Sequence, residues 1–197
     1  MGTTGCFSFF PSKNLGGFGD GGLVTTQDEA LAETLQQLRN HGMNPRYYHK
    51  MVGGNFRLDA IQAVVLAVKL KHLDEWHAGR RKNAAYYIDA FEGSAVQTPA
   101  MVYADSDVAQ PHIFNQFIIR VPNRDAVKAH LTEQQIGNDI YYPLCLHMQE
   151  CFAGLGYSEG DFPQAEAAAK EVLALPVYPE LTEEMQAFVV KSVLEAV

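Results

Sequence analysis

The first half of the chain alternates between short apolar runs, a glycine-rich loop and helix-like segments. Residues 5–10 and 23–26 predict two short strands on either side of that loop. Thr26 and Glu29 have the spacing of a helix capping box, and leucines then recur at helical intervals. Residues 58–76 predict one long helix that is apolar nearly all round in its first half. Because such a helix is buried on more than one side, we expect it to contact a further part of the protein or a second subunit.

The second half mixes strands and helices in a regular order. Residues 113–121 alternate as a strand, and Asn123 and Gly137 have the properties of residues that begin and end the next helix. The remaining elements are short extended segments at 138–142 and 173–177, and helices that begin at Pro163 and after Thr182. This β-α-β-α order predicts an α+β module from about residue 80 onward.

Composition narrows the class of protein. The chain has 197 residues, of which 47% are hydrophobic and 19% charged, as expected of a globular protein. No apolar run approaches the length needed to cross a bilayer, so we expect a cytoplasmic protein that does not act at a membrane. The net charge of −8 argues against nucleic acid as a partner. The three cysteines lack the spacing of metal ligands, and no metal site is expected.

The charge is unevenly distributed. No acidic residue lies between Glu33 and Asp59. The basic residues of this segment, called the basic island below, are Arg39, Arg46, Lys50 and Arg57, together with His41 and His49. A basic island in an acidic chain suits a small anionic ligand, but a solvated positive loop explains it equally well.

The glycine-rich loop matches the sequence fingerprint of dinucleotide-binding sites, but the residues around it do not fit such a site. Residues 17–22 fit G-x-G-x-x-G, but a dinucleotide site requires a helix after the glycines, and the next residues are strand-like. A phosphate-binding P-loop is excluded as well, since its lysine follows the glycines and Lys13 precedes them. A lysine between a strand and such a loop can act as a nucleophile if its amine is partly desolvated. On chemistry alone, a surface lysine on a flexible loop is the favoured interpretation.

A resemblance to a known family favours a catalytic role for Lys13 instead. Residues 8–16, S-F-F-P-S-K-N-L-G, followed by Gly19 and Gly21-Gly22, resemble the Schiff-base motif of the DegT/StrS family of sugar aminotransferases. The resemblance continues in family order over essentially the whole chain, at 53–59, 62–63, 80–81, 85–86, Gly137, 142–143, 146–147, 161–166 and 175–179.

The resemblance implies a fold class and a domain organisation. The expected fold is α/β, the C-terminal portion of the PLP-dependent transferase (aspartate-aminotransferase-like) fold. Residues 1–79 would form the end of the large cofactor-binding domain, and residues 80–197 the small α+β domain. A complete family member carries about as much chain again before this point, including the aspartate that pairs with the pyridine nitrogen. We therefore expect little or no transamination from these residues alone.

The resemblance also implies a chemistry and its residues. Lys13 would form the Schiff base with pyridoxal 5'-phosphate, and Ser8 would donate a hydrogen bond to the cofactor phosphate. Asn55 would reach the phosphate of the neighbouring subunit's cofactor, which implies a homodimer. The reaction would transfer an amino group from an amino acid, glutamate in most of the family, to a keto sugar nucleotide.

The same resemblance places further residues near the substrate. Tyr48, His49, Arg57 and His147 correspond to positions near the nucleotide sugar. Its diphosphate would be the anion that the basic island binds. The alternative is a non-catalytic interaction or structural module derived from the same family. The enzyme hypothesis explains directly why Lys13, Ser8 and Asn55 are retained. The module hypothesis is compatible with their retention but gives no reason for it.

Overall fold

The computed structural model describes residues 2–197, so Met1, where the predicted first domain starts, lies outside the described part. The chain divides into two compact units, Met1–Asp74 and Glu75–Val197. The elements in chain order are β1 (Thr4–Ser8), β2 (Gly22–Thr26), α1 (Glu29–Arg39), α2 (Ala60–Leu70), α3 (Leu73–Ala90), β3 (Phe117–Arg120), α4 (Arg124–Glu133), α5 (Pro163–Glu171), β4 (Val172–Leu175) and α6 (Glu183–Ala196). Two 3-10 turns, Leu146–Met148 and Glu150–Leu155, precede α5.

The first unit begins with a β-hairpin. The strands β1 and β2 pair antiparallel, from Thr4 opposite Thr26 to Ser8 opposite Gly22. Both strands were predicted from the sequence, and the glycine-rich loop connects them. The hairpin therefore brings the two ends of that loop side by side.

The start of α1 differs from the prediction. Thr26 does not cap the helix, because it is the last residue of β2 and its hydroxyl donates to the carbonyl oxygen of Thr3. The N-cap is Asp28, whose Oδ1 accepts from the backbone N–H of Leu31 at 3.0 Å. An aspartate satisfies a free N–H of the first turn as well as a threonine does.

The long helix predicted for 58–76 is wrong as a single element. The structure has two helices, since α2 ends at Leu70 and α3 starts at Leu73. A tight turn separates them, in which the N–H of His72 donates to the carbonyl oxygen of Lys69 at 3.0 Å. The polar stretch after residue 74 is helical and belongs to α3. Apolar periodicity was continuous across the break and so could not reveal it.

The second unit holds the hydrophobic core. Its sheet consists of β3 and β4, paired antiparallel from Phe117 opposite Leu175 to Arg120 opposite Val172. Helices α3, α4 and α6 contribute further core side chains, and Phe91, Phe114 and Ile136 come from segments outside the helices and strands. Its members include Tyr87, Phe91, Phe114, Phe117, Ile119, Val127, Leu131, Leu173, Leu175, Val189 and Val193. The α+β character predicted for this region is present.

Several boundaries in the second unit differ from the prediction. The strand expected at 113–121 is limited to β3, and the segment 138–142 forms only one isolated bridge, between Asp139 and Ala174. Asn123 stands at the N-cap of α4 without a side-chain hydrogen bond. The left-handed residue after α4 is Gln135, not Gly137.

Two helix starts in the second unit were predicted correctly. Pro163 is the first residue of α5, and the Thr182 hydroxyl accepts from the N–H of Met185 at the start of α6. No helix among residues 2–197 has the length and apolar character needed to cross a membrane.

Candidate functional site

Lys13 and Ser8 lie together where β1 runs into the glycine-rich loop. The backbone N–H of Lys13 donates to the carbonyl oxygen of Phe10 at 2.9 Å. The N–H of Phe10 in turn donates to the Ser8 hydroxyl at 3.3 Å. Both the Ser8 and Lys13 side chains are exposed. The structure therefore presents an amine and a hydroxyl at the same end of the hairpin.

The glycines of the loop allow close backbone contact. Phe9 donates its N–H to the carbonyl oxygen of Gly21 and accepts from the N–H of Gly17, both at 2.8 Å. Gly16 is buried, and a Cβ there would lie 2.8 Å from the carbonyl oxygen of Phe10. A side chain at this position would collide with backbone, which cannot move away easily. The loop is therefore folded back on the end of β1.

Helix α2 fixes the loop with two polar side chains. The Oε1 of Gln62 accepts from the N–H of Phe18 at 2.7 Å, and Lys69 Nζ donates to the carbonyl oxygen of Gly16 at 2.5 Å. A Cβ at Gly17 would lie 2.8 Å from Gln62 Oε1. Sequence reasoning missed both roles. The available signal was two polar residues two turns apart in an otherwise apolar helix.

Asn55 lies on a segment that docks against the end of α1. The N–H groups of Gly54 and Phe56 donate to the carbonyl oxygens of Leu38 and Arg39, each at 3.0 Å. These carbonyl oxygens belong to the last turn of α1, where they accept no hydrogen bond from the backbone of the helix itself. The segment thus satisfies the helix end, and the helix end fixes the backbone on both sides of Asn55.

Gly53 makes this docking possible. A Cβ at Gly53 would lie 2.5 Å from the backbone nitrogen of Gly42 and 2.7 Å from the carbonyl oxygen of Leu38. Gly42 itself has a φ of +70°, in the left-handed region that favours glycine. Because neither glycine has a side chain, the backbones of residues 42 and 53 can lie in direct contact.

Arg57 links two carboxamides. Its Nε donates to Asn55 Oδ1 at 2.9 Å, and its Nη1 donates to Asn40 Oδ1 at 3.5 Å. Asn40 is the C-cap of α1 and forms an isolated bridge with Asn55. The structure therefore brings Asn55 and Arg57 together and adds Asn40, which sequence reasoning did not select.

Tyr48 and His49 lie in the loop between Asn40 and Asn55. His49 Nδ1 donates to the carbonyl oxygen of His41 at 2.9 Å, and Met43 bridges to His49. Tyr48 is exposed, and its N–H donates to the carbonyl oxygen of Pro45 at 3.0 Å. The segment after α1 is thus a loop closed by its own backbone hydrogen bonds, and the basic side chains on it, Arg46, His49 and Lys50, are exposed.

His147 belongs to the second unit and has a different environment. Its ring is almost buried, with Nε2 3.0 Å from Glu166 Oε1 and the ring against Phe162 at 4.7 Å between centroids. Desolvation alone would raise the pKa of Glu166. Hydrogen bonds from the backbone N–H groups of Gly160 and Phe162 and from His147 outweigh it and lower that pKa. A role of His147 near a substrate stays a prediction, since its recorded partner is a carboxylate of α5.

The second unit also contains a cavity of about 680 Å³. Its lining includes Arg80, Asn138 and Tyr141, together with apolar residues of β4 and α6. The predicted site residues lie elsewhere, because none of them lines this cavity.

Sequence comparison identifies relatives over the whole chain. The profile of the DegT/DnrJ/EryC1/StrS aminotransferase family matches residues 1–194. A protein of Geobacillus stearothermophilus described as a pleiotropic regulatory protein is 50% identical over 99% of this chain and 52% of its own length. The UDP-N-acetyl-3-dehydro-alpha-D-glucosamine 3-aminotransferase of Acidithiobacillus ferrooxidans is 44% identical over 93% of this chain and 48% of its own. The chain spans about half the length of the curated relatives it matches.

Solved structures give the same result. Streptomyces venezuelae DesV, in complex with a ketimine intermediate, superposes with a TM-score of 0.90 at 38% identity, over 98% of this chain and 52% of that one. A DegT DnrJ EryC1 StrS aminotransferase from Brucella abortus superposes with a TM-score of 0.87 at 34% identity, over 98% of this chain and 50% of that one. The predicted α/β fold class, a portion of the aspartate-aminotransferase-like fold, is confirmed. The chain belongs to the DegT/DnrJ/EryC1/StrS aminotransferase family.

Proposed function

We propose that this chain provides the lysine-bearing half of a pyridoxal-phosphate-dependent aminotransferase that acts on keto sugar nucleotides. The observation that carries the proposal is the position of Lys13, between a strand end and a loop fixed by α2. Relatives described as transaminases of dTDP- and UDP-linked sugars support the substrate class. Glutamate is the proposed amino donor.

The residues at the hairpin end fit the cofactor. When bound, pyridoxal phosphate supplies an aldehyde that condenses with amines and a ring that accepts electrons. The Ser8 hydroxyl accepts one hydrogen bond from Phe10, and a hydroxyl in that position keeps its own proton to donate to a phosphate oxygen. The amine of Lys13 is exposed and can reach an aldehyde. We therefore assign Ser8 to the phosphate and Lys13 to the aldehyde.

Lys13 would have two tasks. Its amine would hold the cofactor covalently, and once released it would accept and return a proton during amino transfer. The loop fixed by Gln62 and Lys69 would keep this amine in place through both tasks. A fixed backbone reduces the entropy lost when the reacting groups align.

The basic island would bind the diphosphate of the sugar nucleotide. Tyr48, His49 and Arg57 would lie near it. Asn55 would donate to the phosphate of the neighbouring subunit's cofactor, so that the working form is a homodimer. We place the reaction in the cytoplasm, where nucleotide sugars and glutamate are available.

Reductive labelling tests the proposal. The protein is incubated with pyridoxal phosphate and reduced with borohydride, and the modified peptides are mapped by mass spectrometry. We expect Lys13 to carry most of the label and the Lys13→Arg variant to lose it, while Lys71→Arg, a control on the turn between α2 and α3, retains it. Equal labelling of all lysines, unchanged by Lys13→Arg, would contradict the assignment.

The alternative is a non-catalytic interaction module of the same family. The description of the Geobacillus relative as a regulatory protein is the observation in its favour. The labelling experiment separates the two functions, because an interaction module has no reason to label Lys13 above its other lysines.

A further inference from the structure

We propose that Arg57 is a positioning residue that fixes the carboxamide of Asn55 with its NH2 group directed outward, as a donor for an anion. The inference rests on the phosphate contact proposed for Asn55 and deepens it. It explains how that contact is prepared before any ligand binds.

The backbone of Asn55 is fixed first. Its two neighbours, Gly54 and Phe56, donate to carbonyls of the last turn of α1, and Asn55 itself bridges to Asn40. Gly53 allows this approach because it has no Cβ. Only the side-chain torsions of Asn55 remain to be set.

Arg57 then decides which end of the carboxamide faces outward. A carboxamide has an acceptor oxygen and a donor NH2, whereas a guanidinium has donors alone. With Arg57 Nε 2.9 Å from Asn55 Oδ1, the reversed orientation would place two donors against each other. The oxygen is therefore held by Arg57, and the two protons of Nδ2 remain for another acceptor.

The guanidinium of Arg57 also contacts a second side chain. Its Nη1 lies 3.5 Å from Asn40 Oδ1 at the C-terminus of α1, where the helix dipole favours a cation. Among residues 2–197 no recorded ion pair includes Arg57, so its charge is not neutralised by a carboxylate. The guanidinium thus adds attraction for an anion to the donor that it orients. The competing explanation is that Arg57 only stabilises the end of α1.

Side-chain NMR distinguishes the two. The measured quantity is the 15N order parameter of the Asn55 NH2 group in the full chain, assigned by its loss in Asn55→Ala. In the wild type we expect a value in the rigid range, about 0.8, and in Arg57→Ala a value below about 0.6. Arg57→Lys keeps the charge but not the planar fork, so we expect it to lower the order parameter too. Arg46→Ala removes the same charge from the basic island and should leave the value unchanged.

Inorganic phosphate is the probe for the anion. We expect it to shift the Asn55 NH2 signals of the wild type saturably, and to bind Arg57→Lys at least about fivefold more weakly. Unchanged order in both Arg57 variants, with an intact backbone spectrum, would overturn the positioning role. Order that falls without any phosphate response in the wild type would support positioning and would refute the proposed phosphate contact of Asn55.

Discussion

At the scale of single residues, two glycines of the first unit act by letting backbone segments touch. Gly16 lies against the carbonyls of Phe10 and Pro11, and Gly53 lies between Leu38 and Gly42. Neither has a positive φ, so their role is the absence of a side chain and not conformational freedom. Both glycines lie within three positions of a predicted site residue, Lys13 or Asn55, which makes the site geometry sensitive to one added methyl group.

Gly53→Ala should loosen the segment that carries Asn55. The new Cβ would meet backbone atoms at 2.5 and 2.7 Å, and we expect a cost of about 1–3 kcal/mol in local stability. Amide hydrogen exchange over residues 38–56 is the measurement, and it should become about 5- to 150-fold faster.

Gly54→Ala is the matched control for that change. The three atoms nearest to a Cβ at Gly54 all belong to the exposed ring of Phe56, the first at 2.6 Å, and that ring can rotate away. Equal effects of the two substitutions would contradict the close-approach explanation for Gly53.

Sequence reasoning selected part of this candidate site. Lys13, Ser8 and Asn55 were selected by resemblance to a local motif, and local motifs are visible in one sequence. Gln62 and Lys69 were not selected, because they act on Phe18 and Gly16, which are 44 and 53 positions away in the chain. The contact between Arg57 and Asn40 was missed for the same reason. The two-turn spacing of Gln62 and Lys69 in an apolar helix sets them apart as a pair, but a single sequence does not show which distant groups they contact.

At the scale of elements, a single carboxylate joins α5 to the loop before it. Glu166 accepts from the N–H of Gly160 at 2.9 Å and of Phe162 at 3.2 Å, and from His147 at 3.0 Å. These hydrogen bonds need the ionised form, and they lower the pKa of Glu166 from its ordinary value of 4.5. The fold of this region therefore depends on a charge.

Stability should consequently depend on pH through Glu166. A carboxyl group with a pKa lower in the folded than in the unfolded state stabilises the fold fully above its unfolded pKa. That contribution is lost as the pH falls from about 4.5 through the folded pKa. Urea unfolding measured across this range should show a decline in the wild type that is smaller in Glu166→Gln.

Glu159→Gln provides the comparison for this experiment. It removes the same charge from an exposed side chain one residue before Gly160, paired with Lys170 at 3.8 Å. Its pH profile should follow the wild type. A profile of Glu166→Gln that keeps the full decline would contradict the assignment.

Helix ends show what the sequence predicts less well. Thr182 and Pro163 were correct, since each begins its helix through its own side chain, which local sequence shows. Thr26 was wrong because its place in β2 is set by pairing with Thr4, which local sequence does not reveal. The break between α2 and α3 was missed because no glycine or proline marks it.

At the scale of the whole molecule, the two units differ in how they bury apolar residues. The second unit has a continuous core, whereas in the described part of the first unit Leu66 is the one large apolar side chain that is buried. On α2, Ile61, Val64 and Val68 are 75%, 63% and 56% exposed. The sequence predicted that this helix would be covered on more than one side, and this chain by itself leaves that surface open.

We expect the isolated chain to self-associate through α2. Exposed aliphatic side chains on one helix favour burial against a second copy. Sedimentation velocity should show association that increases with concentration and decreases in Ile61→Lys. Val52→Lys replaces an apolar side chain that is 95% exposed and lies outside α2, so it should associate as the wild type does. Equal association of all three proteins would contradict a role of α2.

The arrangement of side chains around α2 has a practical consequence for protein engineering. At about 100° per residue, Gln62 and Lys69 project from one stripe of the helix, and Ile61, Val64 and Val68 from another roughly 100–160° away. Polar replacements on the second stripe should therefore improve solubility while leaving the anchors of the glycine-rich loop unchanged. A variant with polar residues at positions 61, 64 and 68 would be easier to study in solution.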